Sequence, residues 1–383
     1  MNVPKLRFKE FNDDWIEEKI NELVELNPKN PNLPENFIYI DLESVSNGIL
    51  LQEKILTKDD APSRAQRQVK VNDILYQTVR PYQKNNLFID KLSHLPYIAS
   101  TGYAILREKN IYQKFLFNKL HTDSFVNEVL DNCTGTSYPA INSNDLGNIK
   151  IFCPNNFKEQ KRIGDFLSLI DKKIELQTKK IEDLKLFKKG FIEFEFSNSN
   201  YNEINLKEIL KERKAYSEKG LEFPHVTLSK DGIYDKTDRY NRDFLVKSDN
   251  KKYKITYLND LCYNPANLKF GVICLNEYGS AIFSPIYVTF VIKNIANPKY
   301  IKYYVTRNNF INAIRKYEQG TVYERMAVAP EDFLKFSIKL PNIEIQNKFV
   351  DKLSKLDQKI ELENLKLSRY IKLKKGLMQN MFV

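Results

Sequence analysis

Arginine, glutamine and asparagine cluster in polar loops in both halves of this sequence. Arg with Gln or Asn can form paired hydrogen bonds with base edges, while Lys and Tyr commonly bind phosphate oxygens. The first half contains SRAQRQVK and RPYQK, and the second contains KTDRYNRDF. Two related loops, GTSYPA and GTVYERM, begin with glycines that permit close backbone approach. The candidate DNA-contacting residues are Arg64, Gln66, Arg67, Gln68, Arg80, Tyr82, Lys84, Ser137, Tyr138, Arg239, Tyr240, Asn241, Arg242, Lys269, Tyr323 and Arg325.

Three other segments resemble parts of DNA-modifying active sites. An adenine methyltransferase needs Asn-Pro-Pro-aromatic or a similar motif, and YNPANL departs from it at Ala266 and Asn267. We interpret YNPANL as the turn after a strand, equivalent to QTVRPY in the first half. EEK at Glu17–Lys19 and ERK at Glu212–Lys214 have the local pattern of a metal-dependent nuclease without a matching Asp. We assign both to solvated faces at helical starts. No phosphate-binding GxxxxGKS or GxxxxGKT loop occurs, so no ATP hydrolysis is predicted.

The charge balance indicates an anionic partner. With 60 Lys and Arg against 49 Asp and Glu the formal charge is +11, and 12% aromatic residues indicate a folded chain. We expect nucleic acid and no membrane, because no apolar run approaches the ~20 residues that span a bilayer. The beginning of the chain lacks a signal-peptide core, which predicts a cytoplasmic protein. Four cysteines and three histidines lack zinc-site spacing, so no metal site is predicted.

The candidate loops lie on a duplicated framework. The segment from Ser168 to Gly190 returns from Ser354 to Gly376, 186 residues later, with ten positions identical. Apolar residues in each copy alternate in steps of four and three, which is a heptad pattern. We predict two helices of about 34 residues, each about 50 Å long at 1.5 Å per residue.

The apolar stripes predict that the two helices pair. Two repeats related by an approximate twofold axis would bring their helices together as an antiparallel coiled coil. The alternative is that each helix packs on its own globular domain. Gln177 and Glu363 occupy equivalent polar positions, and we predict that they lie close together and fix the register. The predicted pairing positions are Ile163, Leu167, Ile170, Ile174, Gln177, Ile181, Leu184, Phe349, Leu353, Leu356, Ile360, Glu363, Leu367 and Tyr370.

Further segments repeat in the same order between the helices. VNDILYQ matches LNDLCYN, and STGYAIL, GTSYPAI and IFCP have counterparts in SPIYVTF, GTVYERMAV and IKLP. Runs such as NFIYIDL predict strands, while YQKFLFNKLHTDSFVNEVL and PKYIKYYVTRNNFINAIRKY predict amphipathic helices. The predicted fold is α+β, with two similar globular domains, each followed by a long helix. Its predicted boundaries are 1–155 and 196–341 for the globular domains and 156–195 and 342–383 for the helices.

Taken together, these features resemble the specificity subunit of type I restriction-modification systems. The resemblance is carried by PKLRFKEFNDDW, by the NDILY strand, and by the helix starts QKRIGDFLSLIDKKIELQ and IQNKFVDKLSKLDQKIELE. It covers essentially the whole chain, and its specificity lies in the combination of segments.

The resemblance implies that each globular domain is a target recognition domain reading one half of a bipartite site in double-stranded DNA. It implies that this chain has no catalysis or cofactor of its own. Two methyltransferase subunits would carry S-adenosylmethionine, and two restriction subunits in the full complex would use ATP and Mg. The helices would set the spacing, because ~50 Å spans at most about 15 base pairs at ~3.4 Å each.

The outer faces of the long helices predict a surface for protein. Their lysines are nearly balanced by Glu and Asp, so we expect them to meet protein more than DNA. Leu169, Leu176, Phe187, Leu362 and Leu373 could contact methyltransferase subunits or widen the helix-pairing core, and we favour the second role for at least half of them. The main rival hypothesis is a duplicated scaffold that binds proteins without sequence-specific DNA recognition.

Overall fold

The chain divides into two compact units in a computed structural model. Unit 1 comprises Met1–Lys179 and Asn364–Val383, and unit 2 comprises Lys180–Glu363. The predicted α+β class, with each sheet-containing domain followed by a long helix, is confirmed. The described residues are 3–29, 32–46, 48–135, 137–197, 201–217, 222–236, 252–318 and 327–383.

The globular part of unit 1 alternates short strands with short helices and leads into a long helix. Its strands are Trp15–Lys19 (β1), Val24–Leu26 (β2), Asn36–Ile40 (β3), Val45–Ser46 (β4), Ile49–Leu50 (β5), Lys54–Thr57 (β6), Ala65–Val69 (β7), Ile74–Gln77 (β8), Leu87–Phe88 (β9), Tyr97–Ser100 (β10), Tyr103–Glu108 (β11) and Lys150–Pro154 (β12). Its helices are Ile20–Leu23 (α1), Gln113–Lys119 (α2), Asp123–Asp131 (α3) and Ser143–Asn148 (α4), followed by the long helix Phe157–Ser197 (α5).

Two four-stranded sheets form the centre of unit 1. Their strand orders are β6-β3-β10-β7 and β2-β11-β8-β9. Ile38 and Leu75 belong to one apolar cluster that joins the two sheets. Tyr76 points to the opposite face of its sheet, where it joins Phe115 and Phe125 in a second cluster with α2 and α3. The second sheet is therefore buried on both faces, which explains why β8 has no exposed residue.

Unit 2 contains the same kinds of element. Its strands are Glu203–Asn205 (β13), Leu210–Glu212 (β14), Tyr216–Ser217 (β15), Val226–Ser229 (β16), Gly232–Asp235 (β17), Tyr253–Thr256 (β18), Leu261–Tyr263 (β19), Ile273–Leu275 (β20), Ala281–Phe283 (β21), Val288–Ile292 (β22) and Ser337–Lys339 (β23). Its helices are Leu206–Ile209 (α6), Pro298–Val305 (α7), Asn308–Ile314 (α8) and Pro330–Leu334 (α9), followed by the long helix Ile343–Met381 (α10).

The sequence repeat is a structural repeat. The order β14-β22-β19-β20 reproduces β2-β11-β8-β9, and the pair β13-β23 reproduces β1-β12. Asn72 and Asn259, equivalent in the sequence repeat, both adopt left-handed backbone, with φ of 69° and 67°. Each following Asp is buried and accepts two hydrogen bonds from one arginine, at 2.7 and 2.9 Å in both units. The two arginines occupy different positions of the repeat. Arg107 lies on β11, whereas Arg213 follows β14, the equivalent of β2.

Two sequence expectations need adjustment. The predicted helical regions each contain two helices, α2 with α3 and α7 with α8. In unit 1 the break occurs at Thr122, whose Oγ1 accepts a hydrogen bond from the backbone N–H of Phe125 and so begins a new helix. The helical placement of EEK and ERK was wrong. EEK lies in β1, paired along its length with β12, and ERK begins at the last residue of β14.

The first turn of each long helix contains a buried glutamine, and the two glutamines are equivalent in the repeat. The Gln160 side chain donates to the Pro154 carbonyl at 2.8 Å and accepts from the Tyr112 N–H at 2.8 Å. The Gln346 side chain donates to the Pro341 carbonyl at 2.8 Å and accepts from the N–H of an asparagine preceding α7 at 2.7 Å. Each glutamine therefore ties the start of a long helix to the helical layer of its own domain.

The first turn of α5 also binds the beginning of the chain. Glu159, which is 1% exposed, accepts hydrogen bonds from Arg7 at 2.6 and 2.8 Å and from the Trp15 indole at 3.3 Å. A buried carboxylate needs such partners to offset its desolvation. The PKLRFKEFNDDW segment thus closes onto the start of α5.

Within unit 1, the beginning of α5 and the end of α10 run in opposite directions. Asp171 forms an ion pair with Lys374. Two residues further along α5, the Lys173 ammonium lies 5.2 Å from the ring centroid of Tyr370. Because the later residue of α5 meets the earlier residue of α10, the two segments are antiparallel.

Within unit 2, the end of α5 and the beginning of α10 are also antiparallel. Lys180 donates to Glu363 at 2.9 Å, and Lys188 forms an ion pair with Asp357. The rings of Phe191 and Phe349 then stack with their centroids 5.6 Å apart. Helix α5 has 41 residues and α10 has 39, so both exceed the predicted length.

The predicted pairing positions are less exposed than the residues between them. Glu363 is 5% exposed and Gln177 is 9% exposed, although both are polar. Contact between these two residues, and a twofold relation of the repeats, stay predictions. The buried positions are Ile163, Leu167, Gln177, Ile181, Phe349, Leu353 and Glu363, and the half-buried positions are Ile170, Ile174, Leu184, Leu356, Ile360, Leu367 and Tyr370.

We predict that Gly164→Ala destabilises the protein. A Cβ at Gly164 would lie 2.7 Å from the backbone nitrogen of Phe115 and 2.9 Å from the carbonyl carbon of Lys114. Overpacking of this kind costs about 1–3 kcal/mol and outweighs the gain of up to about 1 kcal/mol in helix propensity. Thermal unfolding should show a lower Tm. Gly190→Ala, in the same helix with no atom within 4 Å of the new Cβ, should leave Tm unchanged or raise it. Equal stability of the two variants would contradict the close contact.

Candidate nucleic-acid interface

The start of β7 and the ends of β8 and β10 meet at one edge of unit 1. The N–H of Thr101 donates to the Arg64 carbonyl at 2.9 Å. Thr78 donates its N–H and its hydroxyl to the Gly102 carbonyl at 3.0 and 2.8 Å, and the N–H of Ile141 donates to the Thr78 carbonyl at 3.0 Å. These bonds bring three of the predicted DNA-contacting segments together. We call the candidate residues of these segments the basic edge. They are Arg64, Arg80, Tyr82, Ser137 and Tyr138.

Arg80 stands out within the basic edge. Its backbone is left-handed, with φ 54° and ψ 55°, which costs a non-glycine residue about 1–2 kcal/mol. Its N–H donates to the Pro139 carbonyl at 2.7 Å. Its guanidinium carbon lies 4.3 Å from the ring centroid of Tyr138, which is 63% exposed. The arginine is thus fixed at the surface by both its backbone and its side chain.

Lys84 ends the turn that Arg80 begins. It is also left-handed, with φ 54°, and the 3-10 helix Pro81–Gln83 lies between the two. Its ammonium donates to the Asp123 carboxylate at 2.7 Å and to the His121 carbonyl at 3.1 Å. The ammonium also lowers the pKa of Asp123. Lys84 therefore holds the turn against α3, and its DNA contact stays a prediction.

Arg67 is a half-buried cation on β7. It lies opposite Ala99 of β10, on the same face of the strand as the core residue Val69. Its Nε is buried without a hydrogen-bond partner, and burial lowers the pKa of its guanidinium. Its neighbours differ, because Gln66 is exposed and donates to the Ser63 carbonyl at 2.6 Å, while Gln68 is half-buried.

Sequence reasoning missed the counterpart of Arg67 in unit 2. Lys254 lies opposite Phe283 on β21, just as Arg67 lies opposite Ala99 on β10. It is 2% exposed, with its ammonium 3.4 Å from the Glu212 carboxylate and 5.0 Å from the ring centroid of Tyr216. The signal was available, since the offset that aligns the two Asn-Asp pairs also aligns residue 67 with residue 254.

The turn after β19 corresponds to the turn after β8. Asn264 accepts a hydrogen bond from the Ala266 N–H at 3.1 Å and begins the 3-10 helix Pro265–Phe270, which confirms the turn predicted for YNPANL. Lys269 lies in this helix, with its ammonium 5.3 Å from the ring centroid of Phe270. The remaining candidates, Arg239, Tyr240, Asn241, Arg242, Tyr323 and Arg325, lie outside the described residues.

Neither metal ligands nor membrane spans are found in the described ranges. No group of three or more His, Cys, Asp or Glu residues there could hold a metal ion. No described helix is both long and apolar enough to cross a bilayer. The thiols of Cys153, Cys262 and Cys274 are buried, and burial raises the pKa of each.

The outer faces of the long helices carry exposed apolar side chains. The expectation that at least half of them widen the helix-pairing core was wrong, because all five are more than half exposed. Their side chains point away from the heptad stripe. The exposed fractions are 71% for Leu169, 56% for Leu176, 63% for Phe187, 58% for Leu362 and 53% for Leu373. The repeat preserves two of these positions, since residues 176 and 362, and residues 187 and 373, are equivalent.

These features define a duplicated α+β protein with two sheet-containing domains and two long helices. Residues 12–186 match the sequence model of the type I restriction modification DNA specificity domain. This match covers most of the first globular domain and the first part of α5, and it agrees with the resemblance that the sequence motifs indicate.

Two curated relatives carry the same type of name. The chain is 29% identical over 171 residues to the type I restriction enzyme HindI specificity subunit of Haemophilus influenzae, covering 42% of this chain and 36% of the relative. It is 28% identical over 191 residues to the type I restriction enzyme MjaVIII specificity subunit of Methanocaldococcus jannaschii, covering 47% and 45%. The matched region thus spans less than half of each relative.

Solved structures share the fold along nearly the whole chain. A structure described under complex assembly and conformational transition of the type I R-M system has a TM-score of 0.61 at 17% identity, covering 97% of this chain and 98% of its own. The type I restriction-modification S subunit from M. genitalium has a TM-score of 0.56 at 15% identity, covering 100% and 99%.

We predict that the stability of the protein falls at acidic pH because of His121, whose carbonyl accepts a hydrogen bond from Lys84 in the turn that Arg80 begins. Burial and two nearby lysines lower the pKa of His121 to about 4, and its Nδ1 lies 2.6 Å from the Phe117 carbonyl. The other ring nitrogen lies 3.4 Å from the Asn86 amide, whose oxygen accepts from the Gln77 N–H. Because the folded pKa is below the unfolded value of about 6.5, stability is full above pH 6.5 and falls as pH drops towards 4.

Between pH 7.5 and pH 5 the loss attributable to His121 should be about 1–2 kcal/mol, after allowance for partial exposure. Thermal unfolding of the full chain at these two pH values measures it. His121→Gln should reduce the pH dependence, whereas substitution of the exposed His94 by Gln should retain it. If His121→Gln leaves the pH dependence intact, the burial of His121 is not the source of that dependence.

Proposed function

We propose that this chain is the DNA specificity subunit of a type I restriction-modification complex. Each globular domain would read one half of a bipartite site in double-stranded DNA. The proposal is carried by the family match at residues 12–186, together with the basic edge that the same residues form. The second domain enters the proposal through its repeated strand order.

The charges of unit 1 support DNA as the ligand of the basic edge. Within the described part of the chain, neither Arg64 nor Arg80 has a carboxylate partner. Tyr82 and Tyr138 are 49% and 63% exposed, beside these cations. Exposed and half-buried arginines with aromatic and hydroxyl groups are suited to phosphates and base edges.

The exposed apolar positions of α5 and α10 support protein partners along the helices. Several helix lysines are engaged with carboxylates, such as Lys172 with Glu175 at 2.9 Å and Lys188 with Asp357. The helices therefore combine neutralised charge with exposed apolar surface, which suits a protein interface better than a phosphate backbone. We propose two methyltransferase subunits as partners there, with two restriction subunits in the full complex.

In this proposal the chemistry belongs to the partners. The methyltransferase subunits supply S-adenosylmethionine-dependent adenine methylation, and the restriction subunits supply ATP- and Mg-dependent reactions. This chain contributes recognition and spacing, without a catalytic residue or cofactor of its own. A cytoplasmic location follows from this role and stays a prediction.

Co-expression with a type I methyltransferase subunit from the same genome tests the proposal. We expect a stable complex with two methyltransferase chains that methylates adenine in a bipartite motif, mapped by sequencing of modified bases in the host genome. The chain alone should give neither methylation nor a motif. A chain that binds proteins but never confers sequence-specific methylation would instead be a scaffold, and the proposal would fail.

We predict that the paired substitutions Leu176→Gln and Leu362→Gln weaken methyltransferase binding. These side chains are 56% and 58% exposed and occupy equivalent positions of the repeat, so each would contact one of two identical subunits. The loss should be roughly tenfold or more if they are central contacts, with Tm nearly unchanged because neither lies in the core. Binding is measured by titration of the purified methyltransferase subunit.

Leu186→Gln provides the matched control. Leu186 is 69% exposed on α5, but its repeat counterpart is the polar Lys372. This variant should bind the methyltransferase with an affinity closer to that of the wild type. Equal binding by the control and the paired variant would place the interface elsewhere.

A further inference from the structure

The Arg80 guanidinium lies over the exposed ring of Tyr138. Its carbon is 4.3 Å from the ring centroid, and the ring itself is 63% exposed. No described carboxylate or carbonyl accepts a hydrogen bond from the Arg80 side chain. Stacking orients a planar guanidinium while its N–H edges stay available for a ligand.

The backbone segments that carry Arg80 and Tyr138 are joined by hydrogen bonds. The Arg80 N–H donates to the Pro139 carbonyl at 2.7 Å, and Val79 and Ala140 form an antiparallel bridge. The left-handed conformation of Arg80, with φ 54°, is maintained by these contacts. The guanidinium is therefore held in place before any ligand arrives, which lowers the entropy lost on binding.

The free edge of a fixed guanidinium matches one base in particular. In the major groove, guanine presents O6 and N7 as two adjacent acceptors, and arginine donates to both. A phosphate can also accept two hydrogen bonds from arginine, but it carries no sequence information, so base replacement in the duplex separates the two contacts. The left-handed backbone of Arg80 and its contact with Tyr138 both restrict the orientation of the guanidinium plane.

We propose that Arg80, held by Tyr138, reads a guanine in the half-site bound by the first globular domain. The inference rests on the proposed function and adds a base identity to it. The equivalent position in the second domain is Asn267, which lies in the 3-10 helix Pro265–Phe270. The asparagine amide pairs one donor group with one acceptor, which suits adenine, so the equivalent position of the second domain would not repeat this guanine contact.

The test uses the complex with its methyltransferase subunits and the bipartite duplex identified by methylation mapping. Each guanine of both half-sites is replaced in turn by 7-deazaguanine, which keeps base pairing and removes the N7 acceptor. One guanine should then cost the wild-type complex roughly 5- to 100-fold in affinity. Arg80→Ala should bind the natural duplex more weakly and lose little more on the same replacement.

The variants separate base reading from other roles. Tyr138→Phe, which keeps the stack, should retain more discrimination at this guanine than Tyr138→Ala. Arg64→Ala, on the same edge, should weaken binding across sequences without erasing discrimination there. Equal Tm values for Arg80→Ala and the wild type exclude misfolding as the cause of a loss.

Several results would overturn the inference. One is a methylation motif without a guanine–cytosine pair in either half-site. Another is an Arg80→Ala complex that still loses affinity at every guanine as the wild type does, or whose only change is uniform weakening with a smaller salt dependence. In each case a complex that still methylates a bipartite motif upholds the proposed function, whereas a complex without sequence-specific binding overturns the proposed function itself.

Discussion

The apolar stripe of each long helix cannot be buried by the helix that carries it, and the two domains depend on this constraint. In unit 1 the core contains Leu167 from the beginning of α5 and Met381 from the end of α10. In unit 2 it contains Phe196 from the end of α5 and Phe349 from the beginning of α10. Each sheet-containing domain is therefore completed by segments of both helices.

The burial of polar groups fixes where those helices begin. Gln160 and Gln346 each satisfy one donor and one acceptor of the surrounding backbone, so a shift of the helix would leave buried polar groups unpaired. Glu159 adds a buried carboxylate whose partners, Arg7 and Trp15, lie near the beginning of the chain. A strict helix start is what a spacing element needs, because its length then follows from the sequence.

The sequence predicted the parts of this protein that depend on period and repetition. The heptad stripe gave both long helices, and the Asn-Asp repeat gave the two equivalent strands, because both patterns reflect local geometry. It placed EEK in a helix because a short charged run has no period, and the pairing of β1 with β12 joins residues far apart in the chain. The exposure of Leu176 could not be predicted either, because only the partner helix decides which apolar residues face inwards.

Candidate site residues were predictable as a set but not as individuals. Residue type selected Lys84 and Arg80 equally, yet Lys84 is engaged with Asp123, whereas Arg80 lies over the Tyr138 ring and has no carboxylate partner among the described residues. The same distinction separates the equivalent residues Arg67 and Lys254. Lys254 is offset by Glu212, while Arg67 has a buried donor without a partner.

A cation that its own protein leaves unpaired gains most from an external anion, because its desolvation has already been incurred on folding. On the proposed function, Arg67 is therefore a position where DNA would stabilise unit 1, whereas unit 2 has already used the equivalent lysine for its own fold. Two domains that share the strand order of one sheet can in this way bind different half-sites. The shared framework fixes where the loops lie, and the pairing of individual charges decides which of them remain available to a ligand.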